Sequence, residues 1–314
     1  MFAALTACAM ALGIYFALRV LAIGQFTDVP VQKYPGLLFD ESPYIRILTF
    51  FKVLYRVAKL IIFPIALSPD YSFNQIPIPR AIEAGVVRGA LVFFVCAWGI
   101  GRAWETPRRF LMACCALFPY FIVCNLAVPI FILLGERTLY LPTAGLAMFA
   151  GDWLTSSGLW RDPRAARTAR AIAAAITVML GIRTIDRNLD WRSDVSLFRE
   201  AARTSRNSAL VRLNYGTLLI QSGKNAEAAR ELEAAVAILP AYGVGAGAYS
   251  QLSYAYARLG RIQDGEKAIR RSLGINDQIP DSWGRLGYLL ELQGKTDKAR
   301  WAYRREANLR AHAK

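Results

Sequence analysis

The sequence predicts an all-α protein in two parts, a polytopic transmembrane helical domain over residues 1–184 and a helical repeat solenoid over 206–314. Three observations carry this. Hydrophobic residues make up 55% of the 314 positions and mean hydropathy is +0.28, more apolar than a soluble domain. Up to Arg183, long apolar segments alternate with short arginine-bearing connections. Beyond Trp191, small residues and turn glycines recur at fixed offsets.

Residues 1–23 are long and apolar enough to span a bilayer, interrupted only by Arg19. They lack the basic start of a cleaved signal peptide. Further spans are expected at Gly85–Trp104, Phe110–Val128, Leu139–Leu154 and Thr168–Arg183. Arg102, Arg108 and Arg109 mark one connection as cytoplasmic, and Arg161, Arg164, Arg167 and Arg170 mark another. Five spans with a cytoplasmic start then leave residues 24–84, 128–138 and everything after Arg183 on the outer side. Residues 46–67 interleave Arg46, Lys52, Arg56 and Lys59 with apolar residues at helical spacing, which makes a crossing costly. The stretch reads as an interfacial helix or a re-entrant segment ending at Pro64. It is either a snorkelling surface helix or a basic floor for a lipid-linked phosphate.

After a connecting helix expected within 185–205 (Asp194–Thr204, DVSLFREAART), three repeats follow at 206–242, 243–279 and 280–314. Gly216, Gly223, Ala228, Leu232, Ala235 and Pro240 fall at tetratricopeptide (TPR) positions. So do Tyr249, Leu252, Tyr256, Gly260 and Ile269, and then Trp283, Leu286, Gly287, Gly294, Ala299 and Tyr303. From Gly223 to Gly260 is 37 residues and from Gly260 to Gly294 is 34; the extra three sit in PAYGVGAGAY. Small residues at fixed places let two antiparallel helices approach, and stacking buries a continuous core. The first helix of each pair offers Thr217, Gln221, Tyr254, Arg258, Tyr288 and Glu291, either as a peptide-binding groove or as a solvated face.

Charge and composition exclude several functions. Net charge is +15 and pI about 9.9, but the excess is spread over both halves without an aromatic-interleaved basic stripe. Topogenic arginines and contact with anionic membrane lipid account for it, not nucleic acid. The five cysteines (Cys8, Cys96, Cys114, Cys115, Cys124) all lie in apolar segments and form neither a disulfide framework nor a metal motif. The one histidine, His312, sits in the terminal tail, so neither histidine catalysis nor a zinc site is indicated. No metal and no cofactor is expected.

Three strings then occur in order: IIFPIALSPDYS (61–72), ERTLYLPTAG (136–145) and RNLDWRSDVSLFREA (187–201). With the repeats, they resemble the transmembrane and tetratricopeptide-repeat O-mannosyltransferase family. The resemblance implies a GT-C-type membrane domain that uses a polyprenyl- or dolichyl-phosphate sugar as donor. It implies transfer to Ser/Thr of an acceptor polypeptide by way of extracytoplasmic repeats. It also implies a multi-pass location, in the inner or plasma membrane of a prokaryote or the ER of a eukaryote. Such proteins carry their catalytic acids in a first outer loop, to which Asp28, Asp40 and Glu41 do not correspond. The chain is therefore expected to be a C-terminal part of such an enzyme, with its catalytic residues unknown.

Within it, Arg19, Asp70, Glu136, Arg137 and Tyr140 are the candidates for lipid-phosphate or substrate binding. Arg137 suits bidentate phosphate binding with Glu136 orienting it, or the pair anchors a helix end. Asp70 faces the sugar or caps a helix. Arg19 holds phosphate or snorkels. Asp152 reads as an interfacial residue. The alternative function is a non-enzymatic, membrane-anchored TPR scaffold.

Overall fold

The computed structural model describes residues 41–65, 67–126, 132–156, 160–240 and 243–312, with Met10, Ala17, Leu21 and Leu38 as single positions. The chain divides into two compact units, 1–34 and 35–314. In the first, Met10, Ala17 and Leu21 are helical; the rest of the first expected span, Arg19 included, lies outside the described residues. All that follows concerns the second unit.

The described residues form helices and no strand. In chain order they are α1 (Pro43–Ile62), α2 (Ala84–Ala103), α3 (Pro107–Val123), a 3₁₀ turn (Glu136–Leu139), α4 (Tyr140–Ser156), α5 (Pro163–Asp190), α6 (Asp194–Thr204), α7 (Ala209–Gln221), α8 (Asn225–Ile238), α9 (Gly243–Arg258), α10 (Ile262–Ile275), α11 (Pro280–Leu292) and α12 (Thr296–His312). Local chemistry sets several starts. Ser42 caps α1 and Asp162 caps α5, each followed by proline at the first helical position, and Ser193 forms a capping box with Ser196 at α6.

Two helices, α2 and α5, are long and apolar enough to cross a membrane. The most apolar stretch of α5 has none of its surface buried, and Ile172, Ile176, Val178, Met179, Ile182 and Ile185 all stand exposed. The two other expected crossings give helices of 17 residues each, α3 and α4, below the roughly 20 that span a bilayer untilted. The third apolar segment stops at Val123 and the fourth is preceded by the 3₁₀ turn. Residues 46–67 form α1 up to Ile62. Its apolar face (Leu48, Phe50, Val53, Leu54, Val57, Leu60) is buried, and the chain turns at Pro64.

Small residues set the helix crossings. A Cβ at Gly89 would collide with the Phe51 backbone, where α2 crosses α1; one at Gly145 would collide with Ala116, where α4 crosses α3. Close approach through glycine is how membrane helices gain packing without a hydrophobic driving force.

The repeats follow the sequence pattern closely. Ala228, Leu232, Ala235, Ile269, Leu286 and Ala299 are buried in the stack, and α6 adds Val195, Phe198 and Ala202 to its first layer. A Cβ at Gly216 would sit 2.6 Å from the Leu232 side chain, and one at Gly287 would sit 2.7 Å from the Tyr303 ring. Gly223, Gly260 and Gly294 adopt φ of 75°, 76° and 73°, a left-handed conformation costly for any residue with a Cβ. Gly260→Ala is therefore expected to cost about 1 kcal/mol, read as a lower urea midpoint with an unchanged slope.

Candidate functional site at the membrane–repeat junction

The loop between α1 and α2 (residues 63–83) is where the two halves meet. It is irregular because its backbone bonds go outward. Tyr71 N donates to Leu134 O (3.2 Å), and Leu133 N donates to Ser72 Oγ (2.9 Å). Arg183 near the end of α5 donates to Ile65 O (2.8 Å), Thr204 Oγ1 of α6 to Leu67 O (3.1 Å), and Ala209 N of α7 to Phe73 O (3.1 Å). Phe73 and Asn74 take positive φ to make the turn. Phe73, Leu133, Ala209 and Val244 share one buried cluster with Leu38, so the first repeat is docked on the loop by apolar contact as well.

At the centre lies Glu136. Its Oε1 accepts hydrogen bonds from Tyr71 Oη (2.6 Å) and Ser68 N (2.5 Å). The phenol is 1% exposed, and the Arg56 guanidinium lies 5.4 Å from its ring centroid. Burial pushes Glu136 above the ordinary carboxylate range; the Tyr71 and Ser68 bonds and the charges of Arg187 and Arg183 oppose it. Tyr71 is pushed up by burial and by the charge of Glu136, so it remains a proton donor in the pair.

Two charged groups in this region are buried without full partners. Asp70 is 9% exposed, and neither carboxylate oxygen receives a hydrogen bond of good geometry, although the Ser72 hydroxyl and amide lie near. Burial raises it, against Ser72 and the charge of Arg137. Arg187 is 7% exposed; one of its nitrogens pairs with Asp190 at 2.8 Å, while Nη2 is buried with no acceptor. Buried polar groups are nearly always satisfied, so these two groups of opposite sign stand out beside the Tyr71–Glu136 pair.

Of the sequence candidates, the structure brings Asp70, Glu136 and Arg137 together. Arg137 is exposed and joins no ion pair among the described residues, so the helix-anchoring Glu136–Arg137 pair is not formed; the partner of Glu136 is Tyr71. Asp70 caps no helix, because a turn follows it. Tyr140 heads α4 and is 78% exposed. Arg19, Asp28 and Asp40 lie outside the described residues, and Glu41 pairs with Arg80 at 2.6 Å. Asp152 holds Arg109 (2.7 Å) and Arg108 (3.2 Å). Sequence reasoning missed Tyr71, Arg183 and Arg187 as members of the site, though Tyr71 and Arg187 lie inside the quoted strings. No group of acids, cysteines or histidines able to hold a metal occurs among the described residues.

On the repeats, Tyr254 of α9 and Tyr288 of α11 line a cleft of about 360 Å³ with Asp281, Arg285, Tyr303 and Glu306. Arg285 lies 5.3 Å from the Tyr254 ring centroid and bonds Ser250 O (2.8 Å). Thr217 bonds its own helix at Leu213 O, Glu291 accepts from Tyr303 Oη (3.0 Å), and Gln221 and Arg258 are exposed; none of these four lines the cleft.

Because both acids are raised in the fold, their stability contribution is present below the ordinary carboxylate range and lost as pH rises through the folded values. Asp70→Asn, which removes a buried unpaired charge, is expected to raise thermal stability at neutral pH by about 1–2 kcal/mol. It should also flatten the decline in stability as pH rises above the ordinary carboxylate range, followed by melting temperature against pH.

The fold and site together define an all-helical protein with two membrane-length helices and a TPR array docked on a buried acid–arginine cluster. A tetratricopeptide-repeat family profile matches residues 246–279. Human protein O-mannosyl-transferase TMTC1 is 26% identical over 225 residues, 67% of this chain and 25% of that protein. Human TMTC3 is 25% identical over 245 residues (74% and 26%), and Drosophila melanogaster Tmtc3 is 26% identical over 205 residues (62% and 22%). The family resemblance read from the three strings is thereby borne out: the chain is TMTC-like. It spans about a quarter of the length of the curated relatives it matches. Among solved structures, MamA from Desulfovibrio magneticus RS-1 aligns at a TM-score of 0.35 and 20% identity, covering 56% of this chain and 91% of that one.

Proposed function

We propose that this chain forms the lipid-phosphate-binding and acceptor-presenting part of a protein O-glycosyltransferase. A membrane domain (1–184) is joined by a connecting helix (185–205) to three repeats (206–314), with several membrane crossings and the repeats outside the cytoplasm. The observation that carries the proposal is the convergence of all three family-like strings on one cluster holding an unpaired buried carboxylate, Asp70, and an unpaired buried guanidinium nitrogen of Arg187. In this reading Arg187 and Arg137 hold the phosphate of a polyprenyl- or dolichyl-phosphate sugar. Glu136 and Tyr71 fix the loop on which Asp70 meets the sugar. The docked repeats hold a polypeptide whose Ser or Thr hydroxyl accepts it. The names of the relatives make mannose the sugar to try first and do not favour a purely non-enzymatic scaffold. The reaction needs no metal or cofactor beyond the donor lipid.

The test is polyprenyl-phosphate binding by the full chain in detergent. Arg187→Gln is expected to weaken it about tenfold, as for loss of one charge-assisted contact. Unchanged affinity would refute the assignment.

A further inference from the structure

Away from that cluster, α2, α3 and α4 enclose a second feature. Three cavities of about 140, 300 and 420 Å³ run into one another: the first two share Cys96, Ile100 and Leu117, and the last two share Trp98, Gly99 and Phe149. The slot is apolar from its inner end at Phe50 and Tyr120 to its mouth, where Arg102, Arg109, Glu105, Trp98 and Trp153 line it. Along α2, Phe93 at the inner end and Arg102 at the mouth are about 14 Å apart at 1.5 Å per residue. That is about half the roughly 30 Å hydrocarbon core of a bilayer, the depth one acyl chain occupies.

The mouth carries one net positive charge, Arg102, Arg108 and Arg109 against Glu105 and Asp152. Asp152 is shared by Arg108 and Arg109, whereas Arg102 makes no ion pair among the described residues. Trp98, Trp104 and Trp153 are exposed around it, as aromatic side chains are at a headgroup boundary. We infer that this slot is a binding site for one anionic glycerophospholipid. Its acyl chain lies along Gly99 between α2, α3 and α4, and its phosphodiester is held by Arg102. Charge selects the occupant: a free guanidinium at the mouth of an apolar slot matches a single phosphate on a hydrocarbon chain. The inference rests on the membrane placement of α2–α4 and not on sugar transfer, so loss of transfer with lipid retained counts against the transferase reading alone.

The glycines supply the test. A Cβ at Gly99 or at Gly101 meets open space, but only Gly99 lines the slot. The full chain in detergent, offered equimolar phosphatidylglycerol and phosphatidylcholine, is followed by native mass spectrometry. One phosphatidylglycerol per chain should be retained in preference to phosphatidylcholine. Gly99→Leu should abolish that retention and Gly101→Leu preserve it. Arg102→Gln should cut the preference for phosphatidylglycerol about tenfold. No preference in the wild type, or equal behaviour of the Gly99→Leu and Gly101→Leu chains, overturns the inference.

Discussion

Glu136→Ala is expected to destabilise the chain by about 2 kcal/mol, because it removes the charged acceptor of the buried Tyr71 phenol and leaves the Ser68 amide only its bond to Tyr71 Oη (3.0 Å). The Tyr71 phenol and the Ser68 amide both bond the same carboxylate oxygen, and the phenol is wholly buried. The charge of Arg187 also loses its acidic neighbour. Since the same loop bonds Leu134, Thr204 and Ala209, its release should loosen the first repeat from the membrane half. Glu136→Gln keeps an acceptor oxygen in place and should cost about 1 kcal/mol or less. Thermal unfolding in detergent separates the two variants, and limited proteolysis between α5 and α7 should be faster only in the alanine chain.

The second large effect lies at the crossing of α1 and α2. Gly89→Ala puts a methyl group into the Phe51 backbone, and no rotamer change relieves a clash between a Cβ and a main chain. Helix α1 must move off α2, opening the cluster formed by Phe50, Val53 and Leu54 with Phe51, Val92 and Phe93. The expected cost is at least about 3 kcal/mol, above the usual overpacking penalty because backbone has to shift. Gly101→Ala on the same helix meets nothing and should gain slightly in helix propensity. The pair of melting temperatures checks the crossing directly.

The repeats were legible residue by residue because their constraints are local. A turn that needs positive φ takes glycine, so Gly223, Gly260 and Gly294 mark the turn inside each of the three repeats. Leu232 and Ile269 follow at helical spacing into the core. The connecting helix Asp194–Thr204 was readable to the residue, since Ser193 and Ser196 form its cap. Of the expected spans, α2 and α5 were legible as helices long and apolar enough to cross a membrane. Helices α3 and α4, whose ends are set by an irregular turn and not by hydropathy, were less so.

The site was half legible. Asp70, Glu136 and Arg137 carried a signal as charged residues beside apolar segments. The bond from Tyr71 to Glu136 spans 65 positions, and no periodicity announces a contact between a loop and a 3₁₀ turn. Arg187 was hidden inside a helix whose spacing gave no reason to bury it. The helix-cap reading of Asp70 failed for a related reason. SPDYS looks like a helix start, but here the loop spends its donors on Leu134 and Glu136.

The most direct measurement is photolabelling of the full chain in detergent with a polyprenyl phosphate bearing its reactive group beside the phosphate, read by peptide mass spectrometry. Labelling should concentrate on the loop around Ser68–Ser72 and the turn Gly135–Tyr140, and fall about tenfold in Arg187→Gln. Labelling confined to the α2–α4 slot, or unchanged by Arg187→Gln, would contradict a lipid-phosphate site at the membrane–repeat junction.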